Sequence, residues 1–181
     1  MALYVIAGLV ITAVSIGFLY NKLVRLRNQG DEAWSGIDVQ LKRRYDLIPN
    51  LVETVKGYAK HEQGTFEKVI QARNAAIACS GVQAKAAAEN ELAGALKGIF
   101  ALAESYPELK ANESFSALQK SLSEIEDSLQ LARRYYNAVV RDLNIACESF
   151  PSVLVAKSFS FSKRQYFEIS DGERANVQVK L

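Results

Sequence analysis

The sequence predicts an all-α membrane protein, with a single N-terminal transmembrane helix followed by an antiparallel up-and-down bundle of long helices. Two observations lead to this prediction. Residues 2–20 contain no charged residue, no Pro and no side-chain amide. Beyond residue 30, apolar residues recur at alternating steps of three and four, which is the period of an amphipathic helix. We expect four helices in the bundle, or three if two neighbours are continuous.

The first element, residues 1–21, is predicted to be an uncleaved membrane anchor. At about 1.5 Å per residue the apolar run spans roughly 28 Å, close to the ~30 Å hydrocarbon core of a bilayer. A cleaved signal peptide would have a basic start and a shorter apolar run, whereas here nothing basic precedes the run. In a domain of this size a core helix would keep a polar face toward solvent, whereas this run is apolar on all faces. We therefore expect residues 2–20 to contact the lipid bilayer.

Residues 22–30 are predicted to be a basic juxtamembrane linker. Lys22, Arg25 and Arg27 follow the apolar run directly, and only Met1 precedes it. Cytoplasmic segments that flank a membrane span carry an excess of Lys and Arg. The three basic residues therefore predict that the N-terminus lies outside and the body lies in the cytoplasm.

The predicted bundle covers residues 31–150 and begins with three helices at about 31–60, 64–79 and 84–106. Pro49 lies inside the first of them, and we expect a kink there because proline removes one backbone hydrogen bond. Residues 107–113 are predicted to be a loop. If residues 31–79 form one continuous helix, the bundle has three members. The apolar positions of the first helix are Trp34, Ile37, Leu41, Ile48, Leu51, Val55 and Tyr58.

The last bundle helix, predicted at 114–149, carries the most regular apolar pattern in the chain. Asn112 or Ser114 is suited to cap its start, and Pro151 marks its end. The pattern extends over about five heptads and predicts that one stripe of this helix is buried. The stripe consists of Phe115, Leu118, Leu122, Ile125, Leu129, Ala132, Tyr136, Val139, Leu143, Ala146 and Phe150.

The remaining residues, 151–181, are predicted to form an extended C-terminal tail that packs on the bundle and then frays. Phe159 and Phe161 alternate with polar residues, and the segment Tyr166-Phe167-Glu168-Ile169 alternates weakly. Asp171-Gly172 is typical of a turn. We expect the end of the chain to be poorly ordered.

The overall charge gives no indication of a nucleic-acid partner. The chain has 22 Lys and Arg against 20 Asp and Glu, a net charge of +2. The two cysteines, Cys79 and Cys147, lie in separate apolar stretches and are expected to be buried free thiols. The sequence also shows no evident site for a small-molecule substrate.

The sequence resembles the LemA family of bacterial membrane proteins. The resemblance begins at Ala33-Trp34-Ser35 and is most specific in the run RRYDLIPNLVETVKGYA, residues 43–59. Leu143 departs from it, because the family usually has Tyr before Asn144. The resemblance implies an N-terminal membrane helix, a bundle of long helices, a place in the bacterial cytoplasmic membrane and no accepted enzymatic activity. Further matching residues are His61-Glu62, Ala72-Arg73, Tyr106-Pro107, Leu109-Lys110-Ala111, Phe115, Leu118-Gln119, Glu126, Arg133, Tyr136-Asn137, Phe150-Pro151 and Tyr166-Phe167-Glu168.

Polar residues beside the apolar stripes of the first and last bundle helices are the candidate site. If the two helices pack antiparallel, these groups meet, and buried polar groups must then be paired. One interpretation is an interhelix network of hydrogen bonds and charges that fixes the packing register. The other is a polar groove for a partner segment. The residues are Asp38, Arg44, Asp46, Asn50, Glu53, Arg133, Asn137, Arg141 and Asn144.

We predict that the protein is not an enzyme and binds no cofactor or metal. His61 is the single histidine, and no Gly-rich phosphate loop or metal-ligand spacing occurs around it. The function that the sequence favours is a membrane-anchored interaction or scaffold protein of the bacterial envelope, with a protein partner or with itself. The alternative is a membrane-tethered sensor whose ligand binds in a groove between helices. A hydrolase or metal enzyme built around His61 is a third hypothesis.

Overall fold

In the computed structural model, which describes residues 1–168, the chain is helical from its second residue. No strand occurs within that range, so the predicted all-α class is confirmed. The helices are α1 (Ala2–Lys56), α2 (Gln63–Ala78), α3 (Val82–Glu104), α4 (Pro107–Lys110), α5 (Glu113–Glu148) and α6 (Ser152–Ser158).

Helix α1 begins with the apolar run and continues far beyond it. The most apolar part of α1 has none of its residues buried, and by length and composition this part is long and apolar enough to cross a membrane. Helix α1 passes through the predicted linker at 22–30, so this stretch is helical and continuous with the anchor. Leu23 is buried and Leu26 packs beside it, so tertiary contacts on one face hold this stretch helical.

Helix α1 also continues through Pro49. The side chains around this proline are anchored, since Ile48, Leu51 and Val52 are all buried. Packing on one face can hold a helix together where proline removes a backbone hydrogen bond. The kink at Pro49 remains a prediction.

The chain divides into two compact units. The first unit contains Met1–Ile37 and Ala132–Tyr166. Within it α1 and α5 run antiparallel, because Trp34 contacts Tyr136 whereas Leu23, earlier in α1, packs with Leu143, later in α5. The core of this unit also includes residues of α6, namely Val155 and Ala156.

The second unit contains Asp38–Leu131 and, among the described residues, Phe167 and Glu168. Helices α2 and α3 form an antiparallel hairpin in this unit. The Lys85 ammonium group donates to the Ala76 carbonyl oxygen at 2.9 Å near the turn. Near the open end of the hairpin, Gly98 on α3 lies close to Thr65 on α2, since a Cβ added at Gly98 would lie 3.9 Å from Thr65 Cγ2. Gly81, with φ of +88°, precedes α3 in a conformation that favours glycine.

The start of α5 is capped as the sequence predicted. The backbone N–H of Phe115 donates to Asn112 Oδ1 at 2.9 Å, and Asn112 Nδ2 donates to the Tyr58 hydroxyl oxygen at 2.9 Å. The cap satisfies a helix N–H that has no partner within the helix. The apolar stripe of α5 is buried at most positions, but Phe150, beyond the end of α5, is exposed.

Three expectations about the helices are wrong. The three-helix alternative fails because α1 ends at Lys56 and α2 begins at Gln63. The expected loop at 107–113 contains the short helix α4, which starts with proline at its first position. Residues 152–158 are the helix α6 instead of an extended run, because Val155 and Ala156 are buried against Leu23. The turn expected at Asp171-Gly172 and the frayed end lie outside the described residues.

Candidate functional site

Arg44 is the centre of a charge cluster in the second unit. Its Nη1 atom lies 3.3 Å from Glu89 Oε2 on α3 and 3.2 Å from Glu126 Oε2 on α5. Arg44 and Glu89 are 5% and 1% exposed. Two buried charges are costly to remove from water, so each depends on the other for compensation. The cluster therefore joins α1, α3 and α5 at a fixed register.

Tyr45 completes the coordination of the buried Glu89 carboxylate. The Tyr45 hydroxyl donates a hydrogen bond to Glu89 Oε1, while Arg44 contacts the other carboxylate oxygen. The pKa of Tyr45 is raised far above its ordinary value, first by burial and then by the hydrogen bond to Glu89. The phenol therefore stays protonated and remains a hydrogen-bond donor to the carboxylate at every physiological pH.

Residues of the α2–α3 hairpin surround Tyr45 from another side. Arg73 Nε donates to the Tyr45 carbonyl oxygen at 2.8 Å. The Lys85 ammonium lies 5.8 Å from the centroid of the Tyr45 ring. A cation at that distance from an aromatic face is attracted to it. Arg44, Arg73 and Lys85 each have a defined contact here, which is the pattern of a structural network.

An open groove borders the charge cluster. It has a volume of about 380 Å³ and lies on α3 and α5, with Arg44 and Glu126 at one side. Its apolar residues are Ala93, Leu96, Phe100 and Leu122. Lys97, Gln119, Ser123 and Gln130 add polar groups to the lining. Such a surface can hold apolar side chains and offer hydrogen bonds at its rim.

A second groove lies at the end of α1 and the start of α2. Its volume is about 420 Å³, and Lys56, Phe66 and Ile70 are among its lining residues. Pro49 lines neither of these two grooves.

In the first unit, polar side chains fasten the segment that follows α6. Asn144 Nδ2 donates to the Arg164 carbonyl oxygen at 3.0 Å, and the Arg164 N–H donates to Asn144 Oδ1 at 2.9 Å. The Tyr136 hydroxyl donates to the Gln165 carbonyl oxygen at 3.0 Å. These bonds supply the backbone partners that an irregular segment otherwise lacks.

The Arg164 side chain extends this attachment to α1. Its Nη2 atom lies 2.7 Å from Asp31 Oδ1. Gly30 gives the guanidinium room, because a Cβ there would lie 2.9 Å from Arg164 Nη1. Burial raises the pKa of the neighbouring Tyr136 hydroxyl, which therefore stays protonated as a donor.

The comparison with known proteins decides the family. The sequence pattern of the LemA family matches residues 33–181. The chain belongs to the LemA family. This confirms the resemblance that the run at residues 43–59 had indicated.

Relatives of this LemA-family protein cover most of its length. Protein LemA of Metamycoplasma hominis is 27% identical over 178 residues, which is 92% of this chain and 80% of that protein. Magnetosome protein MamQ 2 of Paramagnetospirillum magneticum is 24% identical over 195 residues, covering 92% of this chain and 72% of its own. Magnetosome protein MamQ of Magnetospirillum gryphiswaldense is 22% identical over 174 residues, covering 82% and 64%.

The structure distributes the predicted polar residues of this LemA-family protein differently along α1 and α5. On α1 only Arg44 is buried, whereas Asp38, Asp46, Asn50 and Glu53 are exposed. On α5 Arg133 and Asn144 are buried, Asn137 is half-buried and Arg141 is exposed. The exposed Glu53 and Arg141 bind close neighbours on their own helices, Lys56 at 3.1 Å and Asp142 at 3.0 Å.

Two of the predicted residues have partners that the sequence reasoning missed. Arg44 binds Glu89 on α3, and Asn144 binds the backbone of Arg164. Glu89 could have been found, since it lies three residues before Leu92 and so falls on the buried stripe of α3. Arg164 gave no such signal, because the segment around it has no regular period.

The other residues of note lie outside both polar clusters. Lys22, Arg25 and Arg27 are exposed on α1, and the Arg27 guanidinium lies 5.3 Å from the centroid of the Phe161 ring. His61 is exposed, and residues 1–168 contain no group of three or more His, Cys, Asp or Glu that could hold a metal ion. Cys79 and Cys147 are free thiols, but only Cys147 is buried as expected, since Cys79 is half-buried. Burial raises the pKa of Cys147.

Proposed function

We propose that this LemA-family protein is a membrane-anchored scaffold that holds a protein partner at the surface of the bacterial cytoplasmic membrane, with no catalytic activity of its own. The observation that carries the proposal is the continuity of α1. Its exposed apolar part and its buried part in the helical body belong to one helix with no intervening loop. A partner bound to this chain is therefore tethered to the membrane that α1 crosses.

The groove of the second unit offers a suitable docking surface. The apolar strip of this groove consists of the half-buried Phe100 and of Leu96 and Leu122, which are 4% and 7% exposed, with polar residues beside it. An amphipathic helix binds such a strip through side chains spaced three and four apart. We propose that the partner contributes a helix of this kind. A second copy of this chain is the alternative occupant of the groove.

The topology in this proposal follows from the charges after the apolar run. Lys22, Arg25 and Arg27 are all exposed on α1. The excess of basic residues on this side supports an N-terminus outside and a body in the cytoplasm. The ordinary environment of free thiols is also the cytoplasm, and both cysteines are free.

The absence of catalysis is part of the proposal and rests on how the charged groups are used. The Arg44 guanidinium binds both Glu89 and Glu126, and the Tyr45 hydroxyl donates to Glu89. A general base must be free to accept a proton from a substrate. The exposed His61 offers a direct test, because His61→Ala leaves the function unchanged if the protein is a scaffold.

Photo-crosslinking in living bacteria tests the scaffold function. A photoreactive amino acid at Gln119 lies in the groove lining, whereas the same residue at the neighbouring Lys120 is exposed but is not part of that lining. We expect a discrete crosslinked protein from Gln119 and none from Lys120. Equal labelling from both positions, or none from either, would contradict docking in the groove. Crosslinks to the same chain would identify self-association.

The size of the groove favours a second candidate function, a ligand-binding sensor. Its volume of about 380 Å³ lies within the range of small-molecule pockets, roughly 300–1,000 Å³. A thermal-shift screen of metabolites and lipids separates this candidate from the scaffold. Stabilisation that is lost in Phe100→Ala would favour the sensor, and a screen without a stabilising compound would argue against it.

A further inference from the structure

We propose that residues 150–161 form an interfacial segment that inserts its exposed apolar side chains into the headgroup region of the bilayer that α1 crosses. This inference rests on the membrane anchor of the proposed function. It adds a second attachment to the same membrane and names the residues that make it.

The depth of the interfacial segment follows from its contacts with α1. Tyr20 is the last residue of the apolar run, so it lies at the edge of the hydrocarbon core when the run spans the bilayer. The Phe159 ring centroid lies 4.8 Å from that of Tyr20, and the Phe161 ring centroid lies 5.8 Å from it. Residues in ring contact with Tyr20 must share its depth.

Packing fixes α6 at the same level. Val155 and Ala156 belong to a core cluster against which Leu19 is packed. Leu19 immediately precedes Tyr20 in the apolar run. The inner face of α6 is therefore bound to α1 where the run ends.

Three large apolar side chains of the interfacial segment are exposed. Phe150, Leu154 and Phe159 are 81%, 59% and 54% exposed. Large apolar groups clustered on a surface indicate contact with a partner or a membrane. Aromatic side chains such as Phe150 and Phe159 are suited to the boundary between headgroups and acyl chains.

The charges around this surface match a lipid partner. Lys157 on α6 is exposed, as are Lys22, Arg25 and Arg27 on α1. The nearby Glu148 is bound by Lys163 at 2.7 Å, so its charge is compensated. Basic residues beside an apolar surface bind anionic headgroups while the apolar side chains enter the interface. Continuity with the end of the membrane span thus selects lipid over a soluble protein.

Fluorescence quenching in vesicles tests the proposal with the full chain. Trp34, the single tryptophan, is replaced by Phe, and new tryptophans are introduced one at a time as Leu154→Trp, Phe159→Trp and Tyr135→Trp. Tyr135 is the matched control, since it lies on α5 in the same unit and is 52% exposed. The vesicles contain phosphatidylcholine and phosphatidylglycerol, with bromine atoms on the acyl chains near the headgroup.

We expect at least about twofold quenching at positions 154 and 159, as for side chains a few ångströms below the headgroups, and none at position 135. Equal quenching at 135 and 154 would overturn the inference. So would quenching that is stronger from bromines near the bilayer centre. Flotation of the chain with the vesicles separates this proposal from the proposed function. If the chain floats but position 154 is not quenched, the anchor holds and the interfacial segment does not insert. If the chain does not float, both proposals are refuted.

Discussion

Arg44 and Glu89 form a buried ion pair across 45 residues of sequence, with Arg44 Nη1 3.3 Å from Glu89 Oε2. The pair links α1 to the α2–α3 hairpin inside the second unit. Its geometry gives the hairpin one register on α1, because a shift of one helical turn would leave both charges buried and separated. We regard this pair as a device for specificity rather than as a large net source of stability.

Removing one member of the pair should destabilise the protein strongly. We expect Glu89→Leu to lower the free energy of unfolding by about 3–5 kcal/mol, because it leaves the Arg44 charge buried with only the partly exposed Glu126. The double variant Arg44→Met/Glu89→Leu should lose much less than the sum of the single losses. Urea denaturation of the four proteins measures this difference, and additive losses would show that the two charges are not coupled.

The Tyr45 hydroxyl should make stability depend on alkaline pH. Its pKa in the folded protein is raised above the ordinary value of 10.0, so the stabilisation is complete below pH 10. Above pH 10 the unfolded chain loses the phenolic proton and the folded chain retains it, so the free energy of unfolding falls as pH rises. We expect Tyr45→Phe to be less stable at neutral pH, by about 1–3 kcal/mol, and to fall less steeply above pH 10.

The measurement for Tyr45 is the free energy of unfolding in urea between pH 8 and pH 11, compared between the native chain and Tyr45→Phe. Tyr58→Phe is the control, because that hydroxyl is exposed and accepts its hydrogen bond from Asn112. Parallel curves for the native chain and Tyr45→Phe would contradict the pairing with Glu89.

Asn144 should hold the segment that follows α6. We expect Asn144→Leu to lose both hydrogen bonds with the Arg164 backbone and to reduce stability by about 1–3 kcal/mol. Proteases should then cleave near Lys163 and Arg164 at low concentration, before the helices are cut. Arg141→Leu is the control on the same helix, since its side chain is exposed and binds Asp142. Unchanged cleavage in Asn144→Leu would show that other contacts hold the segment.

The apolar stripe of α5 gives a prediction about packing. Leu129 is 0% exposed, whereas Leu131, two positions later, is 66% exposed. We expect Leu129→Ala to cost about 2–5 kcal/mol, and Leu122→Ala a cost in the same range. Leu131→Ala should change stability by no more than about 0.5 kcal/mol. Chemical denaturation checks all three, and a loss below about 1 kcal/mol for Leu129→Ala would mean that this stripe does not face a packed core.

The long helices could be predicted from sequence because each carries its own periodic signal. Leu122, Leu129 and Leu143 follow one another at helical spacing and are all buried. The helical structure of residues 22–30 is less evident from sequence, since polar and basic residues there hide the inward-facing Leu23 and Leu26. Helix α6 was missed for a related reason: its seven residues become helical through burial of Val155 and Ala156, which local sequence does not reveal.

The candidate site was predictable only in part. Arg44 interrupts an apolar stripe, and this interruption marks a buried charge that needs a partner. The position of that partner depends on how the α2–α3 hairpin returns to α1, and no local pattern encodes the return. The contacts of Asn144 with Arg164 join residues 20 apart through a segment without secondary structure, and periodicity gives no information on such a pairing.

The division of the chain into two units has a consequence for the order of events during synthesis. The first unit is built from Met1–Ile37 and Ala132–Tyr166, and the residues between them, Asp38–Leu131, belong to the second unit. A ribosome therefore completes the stretch Asp38–Leu131 while the first unit still lacks α6 and much of α5. Domains generally fold as units when their residues become available. The apolar run thus leaves the ribosome long before the residues that pack beside its end.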